Sequence, residues 1–563
     1  MDLREALHTH FGFADFRGLQ QPVIERFLAG GDALVIMATG EGKSLCYQLP
    51  AFAAPGLTLV VSPLIALMDD QVAALRRRGL PATCIHSLLD RREREHRMAA
   101  ALTGDVKLLY VTPERFRVPG FLEAVRSRRV ARLAVDEAHC VSHWGHDFRP
   151  DYLHLGTVRE ALGNPPCLAL TATATPAVQQ DIRTALRLGD APMFHTGIER
   201  ANLFLSVQQP DEDAARLERL LQVLEATGGP AIVYCALIAD LLALEGELQR
   251  RGIRPLVYHG KLSASERREQ QARFTRSKDA LILATNAFGM GVDKPDIRAI
   301  VHWQLPGTLE AYYQEVGRAG RDGRPAWCEL LYREQDLQVQ RNFVEGANPD
   351  RRFLLQVAEH LQGLGERLHA LDLDTLRDTF LVKSRHDGRV ETCLRLLRSA
   401  GCIEGEPGRD LQFVRLPSDA EVDAWIPEDK RRQDLLGLLG MVRYATETTC
   451  RKRTIHAHFG FELDAAGCGS CDACVDGAAW LAGGFPDRQP IPRGEAAAPT
   501  AVAGAAPVER GQWIDVKGLG LCAVKRVHHA QGMLRVDVEV ARDLSERSVD
   551  LRRTKWRPVR HGD

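Results

Sequence analysis

The feature that most constrains this chain is one alternation, met twice. Short apolar runs at 33–37, 57–61, 107–111, 133–135 and 167–170 are separated by amphipathic, helix-like stretches. Aliphatic runs without a polar face fit strands buried on both sides, and strands alternating with helices build a parallel sheet wrapped by helices. After Pro230 the pattern restarts, at 231–234, 255–258, 280–283, 299–302 and 329–332. The fold class read from this is α/β, with two parallel-sheet domains in tandem, 1–205 and 206–344, hinged near 205–215.

Composition narrows the class without naming a partner. Of 563 residues, 45% are hydrophobic and 26% charged, which excludes a disordered or fibrous chain. The long uncharged stretch that includes 45–68 is broken by Pro50, Pro55 and Pro63 and does not fit a bilayer-spanning helix. The start, MDLREALHTHFGF, lacks the basic and apolar runs of a secretory signal, so a cytoplasmic protein with no membrane partner is expected. Lys and Arg number 73 against 74 for Asp and Glu. A basic groove for nucleic acid is compatible with that balance when the far surfaces are acidic.

Cysteine usage is more telling. Nine of the 13 cysteines are scattered and read as buried free thiols, while four fall within Cys450 to Cys474. CGSCDAC at 468–474 gives Cys468, Cys471 and Cys474 at Cys-x-x-Cys spacing, with Cys450 upstream. Four thiolates without an open position suit a structural, tetrahedral Zn²⁺, although iron–sulfur ligation uses similar runs.

Beyond 344 the texture changes. Residues 345–426 read as helices followed by a hairpin around Pro407 and Gly408, which suggests a winged-helix-like or plain helical domain. A zinc-binding segment at 427–482 follows, then a linker rich in Pro, Ala and Gly at 483–508. In 509–563, short strands at 513–516, 521–524 and 533–540 fit a small β-barrel-like module.

Two motifs carry the chemistry. The run 33–37 leads into ATGEGKS at 38–44, where Thr39, Gly40 and Gly42 can turn backbone N–H groups toward phosphates. Lys43 can then reach the β- and γ-phosphates and Ser44 can hold Mg²⁺. The general pattern wants glycine where Met37 stands; the strand–loop–helix context restores the reading. The run 133–135 delivers Asp136, suited to Mg²⁺, and Glu137, suited to orienting the attacking water. The pair in this order indicates an NTPase.

With these motifs the chain resembles the RecQ branch of the superfamily-two DNA helicases, over about residues 8 to 340. The resemblance is carried by VSPL at 61–64, TPER at 112–115, DEAHCVSHWGHDFRP at 136–150, ALTATA at 169–174, YHG at 258–260, ATNAFGMG at 284–291 and QEVGRAGRDG at 314–323. It implies two RecA-like motor domains and an ATP-dependent DNA helicase of 3′-to-5′ polarity acting in repair and recombination. Its expected partners are single-stranded and forked DNA, and its place is the cytoplasm, nucleoid-associated in a prokaryote. Phe13 and Arg17 would sandwich adenine and Gln20 would read its edge; Phe13 stands where the family usually has tyrosine. Gln314, Arg318 and Arg321 would act on the γ-phosphate from the second domain, with the two arginines one helical turn apart. Trp144, Phe148 and Arg149 would form the loop that senses single-stranded DNA. The resemblance also favours zinc at the four cysteines, with His456 and His458 as packing residues.

Two alternatives stay open: an ATP-driven DNA translocase that does not unwind, and an RNA-directed DEAH-type helicase. The order of modules departs from the family, in which the zinc segment directly follows the motor and a winged helix comes after it. The C-terminal module, with Arg552, Arg553, Lys555, Arg557 and Arg560 around Trp556, offers a phosphate-binding or protein-docking face.

Overall fold

The computed structural model describes residues 2–38, 40–142, 149–289, 294–380, 388–426, 428–463, 467–484, 513–516, 520–530, 533–540, 546–550 and 556–558. The chain forms two compact units, 1–495 and 496–563.

The first sheet holds β1 Ala33–Ile36, β2 Leu57–Val61, β3 Ala82–Ile85, β4 Leu108–Val111, β5 Val130–Val135, β6 Cys167–Thr171 and β7 Met193–His195. Their order is β3-β4-β2-β5-β6-β1-β7, with every pairing parallel. Successive side chains point to opposite faces, so Leu34 and Ile36 enter one core while Ala33 and Val35 enter the other. The apolar runs found these strands except β3, whose Thr83 and Cys84 interrupt the pattern, and β7, a half-exposed edge.

The second sheet holds β8 Leu203–Gln208, β9 Ala231–Tyr234, β10 Leu256–Tyr258, β11 Leu281–Ala284, β12 Ala299–His302 and β13 Ala326–Leu331. Its order is β10-β11-β9-β12-β13-β8, again parallel throughout. The expected hinge at 205–215 is corrected here. The boundary at 205/206 falls inside β8, whose Leu203, Phe204 and Leu205 are buried and pair with β13. The connector between the sheets is therefore 196–202, upstream of the strand.

Residues 351–426 form a helical insertion with its own core, built on Leu354, Val357, Leu361, Leu376, Cys393 and Leu397. Three α-helices, Arg351–Leu364, Leu373–Phe380 and Arg389–Ser399, precede a short antiparallel pair, β14 Ile403–Glu404 and β15 Gln412–Phe413. The zinc segment is no free-standing domain. Its Met441, Tyr444, Ile455, Phe459 and Cys471 share one core with β8, β9 and β12.

In the second unit, β16 Trp513–Val516, β17 Gly520–Ala530, β18 Met533–Val540, β19 Glu546–Asp550 and β20 Trp556–Pro558 pair antiparallel in the order β19-β18-β17-β16-β20. Cys522, Val524, Val538 and Val549 are buried there. Among the described residues no helix is long and apolar enough to cross a membrane.

Candidate nucleotide site and zinc centre

In a parallel sheet ligands gather where the strands end, beyond their carboxyl termini. β1 and β5 flank β6 on either side, so the loops after β1 and β5 meet there. Gly40 and Gly42 hold the first loop at φ 96° and 81°, conformations that favour glycine. Lys43 Nζ donates to the Met37 carbonyl at 2.9 Å, and Ser44 stands at the cap of helix Leu45–Ala53. Thr39 lies outside the described residues.

The second loop begins at Asp136, 5% exposed. Its Oδ1 accepts the Glu137 N–H at 3.1 Å, and Tyr152 Oη donates to the Asp136 carbonyl at 3.0 Å. Glu137 is one of the non-glycine residues at positive φ, 49°, a conformation costing about 1–3 kcal/mol that clusters at functional sites. That backbone turn tucks its Oε2 into a buried position 3.4 Å from His139 Nδ1, while the His139 ring nitrogen itself bonds Thr171 Oγ1 at 2.9 Å. Burial lowers the Lys43 ammonium from its ordinary value, with Glu137 and Asp136 opposing the shift. Burial, and then Glu137, raises the Asp136 carboxyl. A buried acid, a half-buried acid and a half-buried ammonium form a site that gains when cation and phosphate enter together.

Gln20 sits at this loop, but its amide faces the backbone. Nε2 donates to the carbonyls of Glu41 at 3.0 Å and Gly42 at 3.3 Å, while Oε1 accepts from Arg17 N at 2.9 Å. Phe13 is 45% exposed, with the Arg78 guanidinium 6.0 Å from its ring; Arg17 is exposed nearby in sequence. Gln20 thus ties the backbone of Arg17 to the phosphate loop. Sequence reasoning missed Glu41, whose carboxylate accepts from Ala38 N at 3.1 Å and Thr196 Oγ1 at 2.6 Å, because an acid inside a phosphate loop carries no signal by type.

The second domain reaches the same loop. Helix Leu309–Val316 carries half-buried Gln314 and ends before the arginines. Arg318 and Arg321 lie in a turn containing Gly320 at φ 54°, not one helical turn apart as the spacing suggested. The arginines diverge. Arg318 donates to the Gly289 carbonyl of its own domain, whereas Arg321 crosses to the first domain. Its Cγ lies 3.2 Å from where a Cβ on Gly40 would sit, so glycine is what lets the arginine approach.

Of the aromatic loop, Trp144 and Phe148 lie outside the described residues. Arg149 donates through Nη1 to the Pro63 carbonyl at 3.3 Å and through its own N–H to the Cys140 carbonyl at 2.9 Å.

Cys450, Cys468, Cys471 and Cys474 converge, all four sulfurs lying within 4.8 Å of one another. The Cys468–Cys474 and Cys450–Cys471 sulfur pairs are each 3.9 Å apart. Zinc–sulfur bonds of about 2.3 Å place tetrahedral sulfurs about 3.8 Å apart, so the cage fits the ion. His456 and His458 are engaged elsewhere, with Glu199 at 3.0 Å and Glu310 at 2.7 Å. The cage also extends the second sheet. Leu205 N donates to the Ser470 carbonyl at 3.1 Å and Asp472 N to the Leu205 carbonyl at 3.0 Å, covering the edge of β8.

Comparison with known proteins agrees with this geometry. Residues 17–182 match the DEAD/DEAH box helicase family, 214–323 the helicase conserved C-terminal domain and 417–475 the RecQ zinc-binding family. The probable ATP-dependent DNA helicase RecS of Bacillus subtilis is 41% identical over 67% of this chain and 76% of its own. The chain belongs to the RecQ family of ATP-dependent DNA helicases. As a RecQ-family member it is an ATP-hydrolysing enzyme with a zinc-binding segment. The ATP-dependent DNA helicase RecQ of Bacillus subtilis is 34% identical over 84% of this chain and 66% of its own. That of Pasteurella multocida is 41% identical over 64% of this chain, which spans 57% of that protein. In fold, the two RecA-like domains resemble those of Mss116p, solved with single-stranded RNA and AMP-PNP, at a TM-score of 0.50 and 16% identity, covering 71% of this chain and 92% of that one.

Proposed function

We propose that this RecQ-family chain unwinds duplex DNA by moving 3′ to 5′ along one strand in the cytoplasm, acting in repair and recombination. Lys43, Ser44 and the N–H groups around Thr39, Gly40 and Gly42 hold the triphosphate, with Phe13, Arg17 and Gln20 toward the base. Ser44 and Asp136 would hold Mg²⁺, which would supply neutralisation of the phosphate charge. Glu137 orients the attacking water, and Gln314, Arg318 and Arg321 complete the site from the second domain, with Arg321 closest to the phosphate loop at Gly40. Trp144, Phe148 and Arg149 contact the single strand.

The observation that supports this reading most is the approach of Arg321 to Gly40 across the two domains. An arginine delivered from one domain to the phosphate loop of the other makes hydrolysis depend on their relative position. Hydrolysis can then drive stepping. We further read 345–426 as a winged-helix-like module and 509–563 as a small barrel that meets phosphates or a protein partner. Strand displacement on forked DNA with ATP tests the function. Displacement only from a 3′ tail is expected; DNA-stimulated hydrolysis without displacement would assign a translocase instead.

A further inference from the structure

The connector 196–202 grips the arginine turn directly. Half-buried Arg200 donates through Nη2 to the carbonyls of Ala319 at 2.9 Å and Gly320 at 3.0 Å, and through Nη1 to that of Gly317 at 3.4 Å. Asn202 Nδ2 donates to the carbonyls of Gly320 and Arg324, each at 2.8 Å. The carbonyls at the end of a helix lack partners within it, and a guanidinium fork placed there satisfies several while favouring the negative end of the helix dipole. The fit is close: a Cβ at Gly320 would stand 2.5 Å from Asn202 Nδ2.

The connector is itself fastened at both ends. Thr196 bonds Glu41 of the phosphate loop at 2.6 Å. Toward the other end, Glu199 accepts from Lys452 Nζ at 2.7 Å and pairs with His456 at 3.0 Å, and Lys452 also donates to the Arg200 carbonyl at 2.6 Å. Burial would raise the Glu199 carboxyl, but His456 and Lys452 outweigh it and hold the group below its ordinary value. One short segment thus touches the phosphate loop, the zinc segment and the turn that carries Arg321.

We propose that Arg200 and Asn202 are positioning residues for ATP hydrolysis, holding the backbone of the turn 317–321 so that Arg321 meets the phosphate loop. The proposal rests on the role given to Arg321 above. Displacement of a catalytic group by about 1 Å can cost roughly 10²-fold in rate, while nucleotide affinity depends mainly on the other domain.

The test is steady-state ATP hydrolysis at saturating single-stranded DNA for Arg200→Lys, Asn202→Ala, Arg321→Ala and the two doubles carrying Arg321→Ala. Each connector variant should lower kcat about 10- to 100-fold while the KM for ATP moves less than about threefold and bound zinc is unchanged. In the Arg321→Ala background neither should lower kcat further, because residues acting as one unit are non-additive. Additive losses in the doubles, or an unchanged kcat in both single connector variants, would overturn the positioning role while leaving that of Arg321 intact. A normal kcat in Arg321→Ala would overturn both.

Discussion

The two halves of the proposed nucleotide site are built by opposite means. The first domain hangs Lys43, Asp136 and Glu137 on the ends of β1 and β5, central strands whose residues are almost fully buried. The second domain hangs Arg321 on a turn beyond a helix end, steadied by side chains of the connector. One half is held by the interior of a sheet, the other by a partly buried side-chain network that includes the zinc segment. On the proposed function, such a division lets the first half bind nucleotide with fixed geometry while the second reports on domain position. Damage should therefore separate into losses of binding and losses of turnover.

The sharpest break of this contrast is Arg321→Ala. An arginine acting on the leaving phosphate is worth about 10³-fold or more in kcat, so turnover should collapse while ATP affinity, read by fluorescent-nucleotide titration, stays within a few-fold. A kcat within tenfold of the parent would make the Gly40 contact mere packing. Next, Glu137→Gln should lower kcat by about 10²-fold or more with ATP still bound, as expected for loss of a group that directs water. Lys43→Ala should instead weaken binding as well. If the Glu137 and Lys43 variants behaved alike, the assigned division of labour within the first domain would fail.

The zinc centre sharpens the comparison from the other side. Purified protein should carry about one zinc per chain, and Cys471→Ser should lose it. Because Cys471 lies against Leu205 at the edge of β8, that loss should uncover a sheet edge, reduce solubility and lower the thermal midpoint by at least about 5 °C. Iron with visible absorbance would refute the assignment to zinc.

What the sequence made legible follows the same divide. Strands such as β1 and β9, buried on both faces, announce themselves as aliphatic runs, and the loops after them inherit their placement. The four cysteines are legible because metal ligation fixes residue type and spacing together. The boundary at 205/206 failed because β8 is an edge strand that reads like a connector until its partners, β13 and the zinc segment, are known. The helical spacing of Arg318 and Arg321 failed because the helix ends at Val316 and Gly320 turns the chain, so two similar residues point to different domains. Gln20 was expected to face adenine, yet its amide bonds the Glu41 and Gly42 carbonyls, 21 and 22 positions away, a separation that no local pattern encodes. Arg200 and Asn202 carry no signal by type, since a lone arginine and asparagine in a connector are commonplace on surfaces.

A smaller effect is expected at the DNA loop. Trp144→Ala should keep basal ATPase and lose much of its DNA stimulation, since one base–aromatic stack is worth roughly 1–3 kcal/mol. Full stimulation in that variant would give Trp144 a packing role and leave Phe148 and Arg149 as the loop's remaining candidates.

The smallest effect should come from the C-terminal unit, none of whose residues is assigned to the divided site. Among its described residues five strands form one sheet, and β20 places Trp556 and Arg557 on a strand paired with β16. A module joined through a linker rich in Pro, Ala and Gly raises the local concentration of whatever it binds without altering the chemistry elsewhere. Truncation after residue 505 should therefore leave maximal DNA-stimulated kcat unchanged. If Arg552, Arg553, Lys555, Arg557 and Arg560 bind phosphates, truncation should also weaken DNA affinity. The slope of log affinity against log salt should then fall by about 0.9 for each duplex phosphate that the truncated chain no longer neutralises. Unchanged affinity and slope would point to a protein partner for this face. A fall in maximal kcat would show instead that the C-terminal sheet belongs to the motor.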